Sequence, residues 1–306
     1  MPQGDALRRL AGTIYERFAG QRVTRSATRD PRIATVDFRG RVLVDADAYG
    51  KHLFVRFDDG RSLHAHLLMT GSFEVGRASR APEWKRRVEL WLDNGRLTGV
   101  AVPLLDMIST ADEHVITDAL GPDLCAPAGP PDIGEVSGRL VRDGGAPLAG
   151  ALLDQRNVAG FGNVYANDLP FVTAVNPFQP IGAIDGLVDL VAMGTAMIRV
   201  NAIRGPLNTT GRKLGTDDHW VHGVGRGRCP VCGTTLDYRD ADSTPWQRSI
   251  TWCPACQTLS PDRVEVDLKR ARKLRALHPA VREPYVPVLG CRDGDRRAGD
   301  GGPVFE

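Results

Sequence analysis

Cysteine is scarce in this chain, six in 306 residues. That excludes a disulfide scaffold, because so few bridges could not hold a chain of this length. Four of the six fall into two close pairs, leaving Cys125 and Cys291 solitary, a usage that fits a reducing, cytoplasmic setting. Long apolar runs are also missing. The most apolar stretch, 181–200, is broken by Asp185, Asp189 and Arg199 and is too polar to span a membrane. The opening MPQGD carries an early acid and no apolar segment, so no signal peptide is expected. Neither charge sign dominates: 39 Lys and Arg against 37 Asp and Glu leave a net charge of +2. Any nucleic-acid surface must therefore come from local clustering. No internal repeat is found.

What is present supports a folded α+β protein. A hydrophobic fraction of 42% over this length suffices for about two cores. Residues 5–19 read as a helix: Leu7, Leu10, Ala11, Ile14 and Phe18 form a stripe, Asp5 can cap its start and Gly20 can close its end. From about 22 to 108 the pattern changes to short alternating runs separated by DDG and DNG turns, an antiparallel two-sheet sandwich. APAGPPDIG (126–134) reads as a linker, so the first domain is expected over 1–125. Helical patterns follow at 135–142, 148–158, 163–169 and 181–203, giving a helical domain over 135–219. A cysteine segment at 220–257 comes next. The tail, 258–306, carries KRARKLR at 269–275, five basic side chains in seven positions, and ends in a stretch expected to be disordered.

Cys229-Pro-Val-Cys232 and Cys253-Pro-Ala-Cys256 are separated by twenty residues. Two CxxC pairs at that spacing can bring four thiolates to the corners of a tetrahedron, as a structural Zn²⁺ requires. The alternatives are two internal disulfides, strained in CxxC pairs, or four unrelated thiols. At the other end of the chain, Pro2 follows the initiator Met. Removal of Met1 would leave a secondary amine beside a helix N-terminus, a place that favours its neutral form and attracts phosphate. Such an amine can attack an electrophilic sugar carbon. Taken alone, Pro2 could equally be a tolerated second residue.

These pieces together resemble the formamidopyrimidine-DNA glycosylase / endonuclease VIII family of bifunctional base-excision repair enzymes. The resemblance runs from residue 2 to about 257 through MPQGD, GKHLFVRF (50–57), HLLMTGSF (66–73), LGPDL (120–124), LLDQRNVAGFGNVYAND (152–168) and the cysteine segment. It implies a β-sandwich, then a helix–two-turn–helix domain ending in a zinc β-hairpin, with damaged double-stranded DNA in the cleft between, bound by a monomer. Pro2 is then the Schiff-base nucleophile that attacks C1′ of a flipped-out nucleotide. Lys51 is implied to be a proton donor or phosphate ligand beside that nucleotide, Asn163 a phosphate contact and Met69 a side chain inserted into the vacated stack. Arg248 lies five residues before Cys253, where the family carries a hairpin-tip arginine suited to a phosphate. For Lys51, Asn163 and Met69 the residue-level alternatives are a solvated hairpin lysine, a helix N-cap and a core methionine.

Three features depart from the family pattern. Gln3 stands where the family has a catalytic glutamate, and an amide has no proton to give. Another acid could serve, although Asp5 as a helix cap is expected to have a depressed pKa. Otherwise the chain is an attenuated enzyme or a DNA-binding relative. Ala101–Asp106 (AVPLLD) lacks the arginine loop of the formamidopyrimidine branch, which with the GD after position 3 leans the chain toward the endonuclease VIII branch and its oxidised pyrimidines, while Met69 points the other way and leaves the substrate class open. The basic tail is an addition that could supply further phosphate contacts.

Overall fold

The computed structural model describes residues 2–211 and 218–275. Cys291 and the stretch expected to be disordered lie outside the described residues.

The first helix, α1 (Gly4–Phe18), buries Leu7, Ala11, Ile14 and Phe18, one face at helical spacing. Its start differs from the sequence expectation. Gln3 is the N-cap residue, in extended conformation, and Asp5 lies inside the first turn, where its carboxylate accepts from the Ala6 N–H and caps nothing. Eight strands follow: β1 (Arg25–Thr28), β2 (Leu43–Tyr49), β3 (His52–Phe57), β4 (Arg61–His66), β5 (Ser72–Val75), β6 (Arg86–Leu92), β7 (Gly95–Val100) and β8 (Leu104–Ser109). They form two four-stranded antiparallel sheets, ordered β1-β6-β7-β5 and β2-β3-β4-β8. Leu53, Val55, Phe57 and Leu63 from one sheet meet Val88, Leu90 and Leu97 from the other, with the α1 stripe in the same core. The β2–β3 hairpin turns through Gly50 at φ 54, a conformation that only glycine adopts without strain.

After a short helix, α2 (Glu113–Thr117), the second half contains α3 (Ile133–Leu140), α4 (Leu148–Leu153), α5 (Asn163–Val172), the two-residue strand β9 (Ile184–Asp185) and α6 (Leu187–Arg204). Two expected helices are shorter than the apolar pattern suggests. The 148–158 helix stops at Leu153 because the Asp154 side chain accepts the Arg156 N–H and turns the chain. The 181–203 helix starts only at Leu187, since Gly186 sits in the left-handed region at φ 80. A second core runs from Leu124 through Leu148, Phe161, Tyr165 and Ile198 to Cys229, Cys253 and Ala271. The cysteine segment carries the hairpin β10 (Asp237–Arg239) and β11 (Ile250–Trp252), and the chain continues through β12 (Val264–Glu265) into α7 (Leu268–Arg275).

The two halves share α1, which packs on β2 and on α6. Arg9 donates to the Asn201 carbonyl at 2.6 Å. Arg8 binds Asp47 and the Ala48 carbonyl on one side and Asp123 at 3.3 Å on the other. Arg199, fully buried, donates to the carbonyls of Leu124, Ala126 and Gly129 and so fixes the connection after the sandwich. Among the described residues no helix is long and apolar enough to cross a membrane.

Candidate active site and cysteine centre

The chain start is seated on the loop before α5. The Gly4 N–H donates to the Gly160 carbonyl at 3.0 Å, and a Cβ on Gly4 would lie 2.7 Å from Gly160 Cα. A Cβ on Gly162 would come within 2.6 Å of Gln3 Oε1, so glycine there is the condition for the Gln3 side chain to occupy its place. Gly50 closes on the same loop from the sandwich side, with Ala159 Cβ and the Gly160 nitrogen against it. Gln155 staples the loop: its Oε1 accepts from Gly160 N–H and its Nε2 donates to the Phe161 and Leu153 carbonyls. Pro2, Gln3, the Gly50–Lys51 turn and the start of α5 at Asn163 thus converge, although they lie far apart in sequence.

Gln3 is 1% exposed, and neither its Oε1 nor its Nε2 has a hydrogen-bond partner. Burying an unpaired amide costs roughly 1–3 kcal/mol. Asp5 is not the low-pKa cap expected from sequence. Burial, only partly offset by the Ala6 N–H, raises its carboxyl to about 6. Its Oδ2 accepts from the Tyr165 hydroxyl at 3.4 Å, and that oxygen in turn accepts from Asn201 Nδ2 at 2.9 Å.

Lys51 is not a solvated hairpin lysine: it is 8% exposed. Burial, with repulsion from Arg248 added, lowers its ammonium to about 7. The two cations face one cleft of about 390 Å³, with Arg156, Asp154, Trp246 and Pro245 also on its walls. Such a cleft suits a phosphate, whose charge would offset both the burial and the added repulsion that lower the Lys51 ammonium. Arg248 is held on its loop by Thr244, whose hydroxyl accepts from the Arg248 N–H at 3.1 Å and donates to its carbonyl at 2.8 Å. Asn167 ties that loop to α5, accepting from the Thr251 N–H at 2.7 Å and donating to the Ser249 and Asn163 carbonyls. Sequence reading missed Gln155, Asn167 and Thr244. Asn167 and Gln155 stood in a quoted motif, but nothing in one sequence gives their partners.

Asn163 is the first residue of α5, after the N-cap Gly162, and is therefore not the cap. Met69 is not core. It is 60% exposed on the turn after β4, where Leu68 is held in the left-handed region at φ 44 and the Gly71 N–H returns to the Leu67 carbonyl. The Leu68 N–H also donates to His66 Nδ1, and His66 meets His52 edge-on, with His52 hydrogen-bonded to His64 at 2.9 Å. Met69 is not among the side chains lining the Lys51–Arg248 cleft.

The four paired cysteines bring their sulfurs within 4.8 Å of one another. A tetrahedral Zn–S₄ site with bonds of about 2.3 Å has sulfur–sulfur edges of roughly 3.8 Å. The observed Cys232–Cys253 separation is 3.5 Å, far too long for a disulfide and close to that edge. Backbone N–H groups of Val231 and Cys256 point at Cys229 and Cys253 Sγ, donors suited to thiolates. The set therefore fits a metal ion, and all four positions would be filled by sulfur.

Comparison with known proteins agrees with this geometry. The formamidopyrimidine-DNA glycosylase N-terminal domain family matches residues 1–101. A probable endonuclease 8 2 of Streptomyces coelicolor is 37% identical over 263 residues, covering 84% of this chain and 94% of that protein. A protein named DNA-(apurinic or apyrimidinic site) lyase Nei2, from Mycolicibacterium smegmatis, is 35% identical over 260 residues, covering 85% and 100%. Among solved structures, the MutM (Fpg) protein of Thermus thermophilus superposes with a TM-score of 0.69 at 25% identity, covering 85% of this chain and 100% of that one. The Lactococcus lactis Fpg protein bound to an abasic-site DNA gives 0.70 at 19% identity over 84% and 99%, a likeness of fold.

Proposed function

This chain belongs to the formamidopyrimidine-DNA glycosylase / endonuclease 8 family, on its endonuclease 8 side, and from that premise we propose that it is a base-excision enzyme. It acts on oxidised bases and abasic sites in duplex DNA through the amine of Pro2. The observation that carries this reading is that the chain start and the Gly50–Lys51 turn pack on one loop, Ala159–Asn163, while Lys51 faces Arg248 across one cleft. The loop that seats the chain start thus also meets the turn carrying Lys51, and Lys51 and Arg248 line one cleft suited to the phosphates beside a flipped nucleotide.

The chemistry follows from the groups present. After removal of Met1, the Pro2 nitrogen attacks C1′. At a damaged nucleotide the C1′–base bond breaks and the base leaves with a proton; the C1′–O4′ bond then opens, O4′ taking a proton to become a hydroxyl. At an abasic site the open-chain aldehyde loses its oxygen as water. Either route gives an iminium at C1′, which makes the C2′ hydrogen acidic; its loss expels the 3′ phosphate and cuts the strand. Lys51, neutral or charged near pH 7, can hold that phosphate or move a proton. Arg248 stays charged and holds a neighbouring phosphate. The four-cysteine centre would hold one structural Zn²⁺, which supplies rigidity to the hairpin that carries Arg248. Asn163, at the start of α5, and the exposed Met69 serve as the phosphate contact and the wedge.

Gln3 sets the balance between these routes. Its amide cannot protonate the sugar ring oxygen, a contribution worth about 10²–10⁴-fold in general acid catalysis. The abasic aldehyde needs no such opening of a closed sugar. Strand cutting at abasic sites therefore outpaces base excision. The unbonded amide of Gln3 also favours a second reading, in which the chain chiefly binds damaged or abasic DNA. A Gln3→Glu variant separates them: on the enzyme reading both proteins cut abasic duplex and only excision rises. If the natural chain cuts neither substrate and the variant cuts both, the binding reading holds instead.

A further inference from the structure

The chain beyond the second CxxC folds back onto the helical core that also holds Cys229 and Cys253. β12 pairs in parallel with β9, the Val266 N–H donates to the Asp185 carbonyl, and the Asp267 N–H donates to the Thr173 carbonyl, both at 3.0 Å. Asp267 Oδ1 then accepts from the Arg270 N–H at 2.8 Å. Helix α7 buries Ala271 in the helical core, with Leu268 and Leu274 packed beside it. Of its other basic residues, Lys269, Arg272 and Lys273 are exposed, as a charge run normally is. Arg270 is turned inward. Its guanidinium lies over the Phe171 ring at 4.9 Å and faces the sulfur of Cys256. Arg270 Nε and Nη2 are buried and have no aligned acceptor.

A guanidinium keeps its charge, so burying two of its donors without an acceptor is costly. A thiol repays little of that, because S–H sulfur is a weak acceptor. Four thiolates around a divalent ion are different: together they carry two net negative charges and each sulfur is an anionic acceptor. The inward-turned cation and the anionic centre then complete one another. We propose that Arg270 is an outer-shell donor to the metal-bound Cys256 thiolate, so that the clasp formed by residues 264–275 sets how tightly the four-cysteine centre holds its ion. Arg270 is a positioning residue here, and its effect does not depend on whether the protein cuts DNA.

The test uses the full-length zinc-loaded protein and its Arg270→Leu and Arg270→Lys variants. Competition with a chromogenic chelator should show zinc held about 10–100-fold more weakly by Arg270→Leu. Arg270→Lys, which keeps the charge, should recover part of that loss. Cobalt(II)-substituted protein supplies a readout that packing alone does not move. Loss of a donor to a thiolate should shift the sulfur-to-cobalt charge-transfer band to lower energy in Arg270→Leu, with Arg270→Lys between. Equal zinc retention in all three proteins would overturn the proposal. So would weaker retention with an unmoved cobalt band, which would make Arg270 a packing residue only. Should Arg270→Leu fail to fold, the Arg270→Lys band position alone decides: unchanged from the natural protein, it refutes the donor role.

Discussion

Lys51 offers the sharpest physical prediction. It is buried and faces Arg248, and the two effects lower its ammonium to about 7. A phosphate between the two side chains requires the charged form, so DNA binding must be linked to proton uptake. Below pH 7 the free protein already carries the proton and affinity should be flat with respect to this group. Above pH 7 the proton must be acquired on binding, at about 1.4 kcal/mol per unit. Dissociation constants should therefore rise by about tenfold at pH 8 and about a hundredfold at pH 9, before the bound-state pKa is reached. The assay is fluorescence anisotropy on a duplex carrying a stable abasic analogue, at constant ionic strength so that screening is held fixed. Lys51→Gln should bind more weakly at pH 7 and lose this slope, which separates Lys51 from any titration of the Pro2 amine. Arg248→Ala removes the repulsion and leaves the burial, so the break should move to higher pH. Parallel pH profiles for the natural protein and Lys51→Gln would refute the reasoning.

Three further predictions rest on neighbouring features. Gly162→Ala should push Gln3 from its seat, since the added Cβ would lie 2.6 Å from Gln3 Oε1; abasic-site cutting should fall at least about tenfold with the melting temperature nearly kept, as loss of positioning implies. Cys253→Ser or exhaustive chelation should release the hairpin that carries Arg248 and abolish abasic-duplex binding, while circular dichroism still reports the β-sandwich. The cluster of buried His64 with half-buried His52 and His66 should make the sandwich acid-sensitive. Burial, with repulsion from neighbouring imidazoles and Lys51 added, lowers His52 to about 3 and His66 to about 4, while Asp106 and Glu113 oppose the fall at His64. Folded histidines of depressed pKa stabilise fully above the unfolded value of about 6.5, and that stability is lost as pH falls toward 4. Melting temperature should drop between pH 6.5 and 4, with a shallower slope in His52→Asn.

Much of this architecture was legible before any coordinates. The strand pattern follows from alternation and from DDG and DNG turns, both local properties. The metal centre follows from spacing, because a CxxC knuckle positions its own sulfurs. Other features depend on partners distant in the chain. Asp5 looks like a helix cap, and only the packing of Tyr165 and Asn201 over α1 shows it as a buried acid raised to about 6. Lys51 looks like a hairpin lysine until the Thr244–Arg248 loop is placed beside it. Helix α4 ended early because one aspartate side chain outcompeted an apolar stripe, and α6 started late because one glycine took a left-handed conformation. KRARKLR reads as a solvated face, and only the docking of Ala271 turns Arg270 inward.

The central claim is that the chemistry starts at the Pro2 amine, and borohydride trapping on an abasic duplex tests it most directly. The natural protein should give a stable covalent adduct with the DNA, and Pro2→Gly or a blocked N-terminus should lose most of it. No adduct from the natural protein, or one undiminished when the Pro2 amine is blocked, would contradict the account.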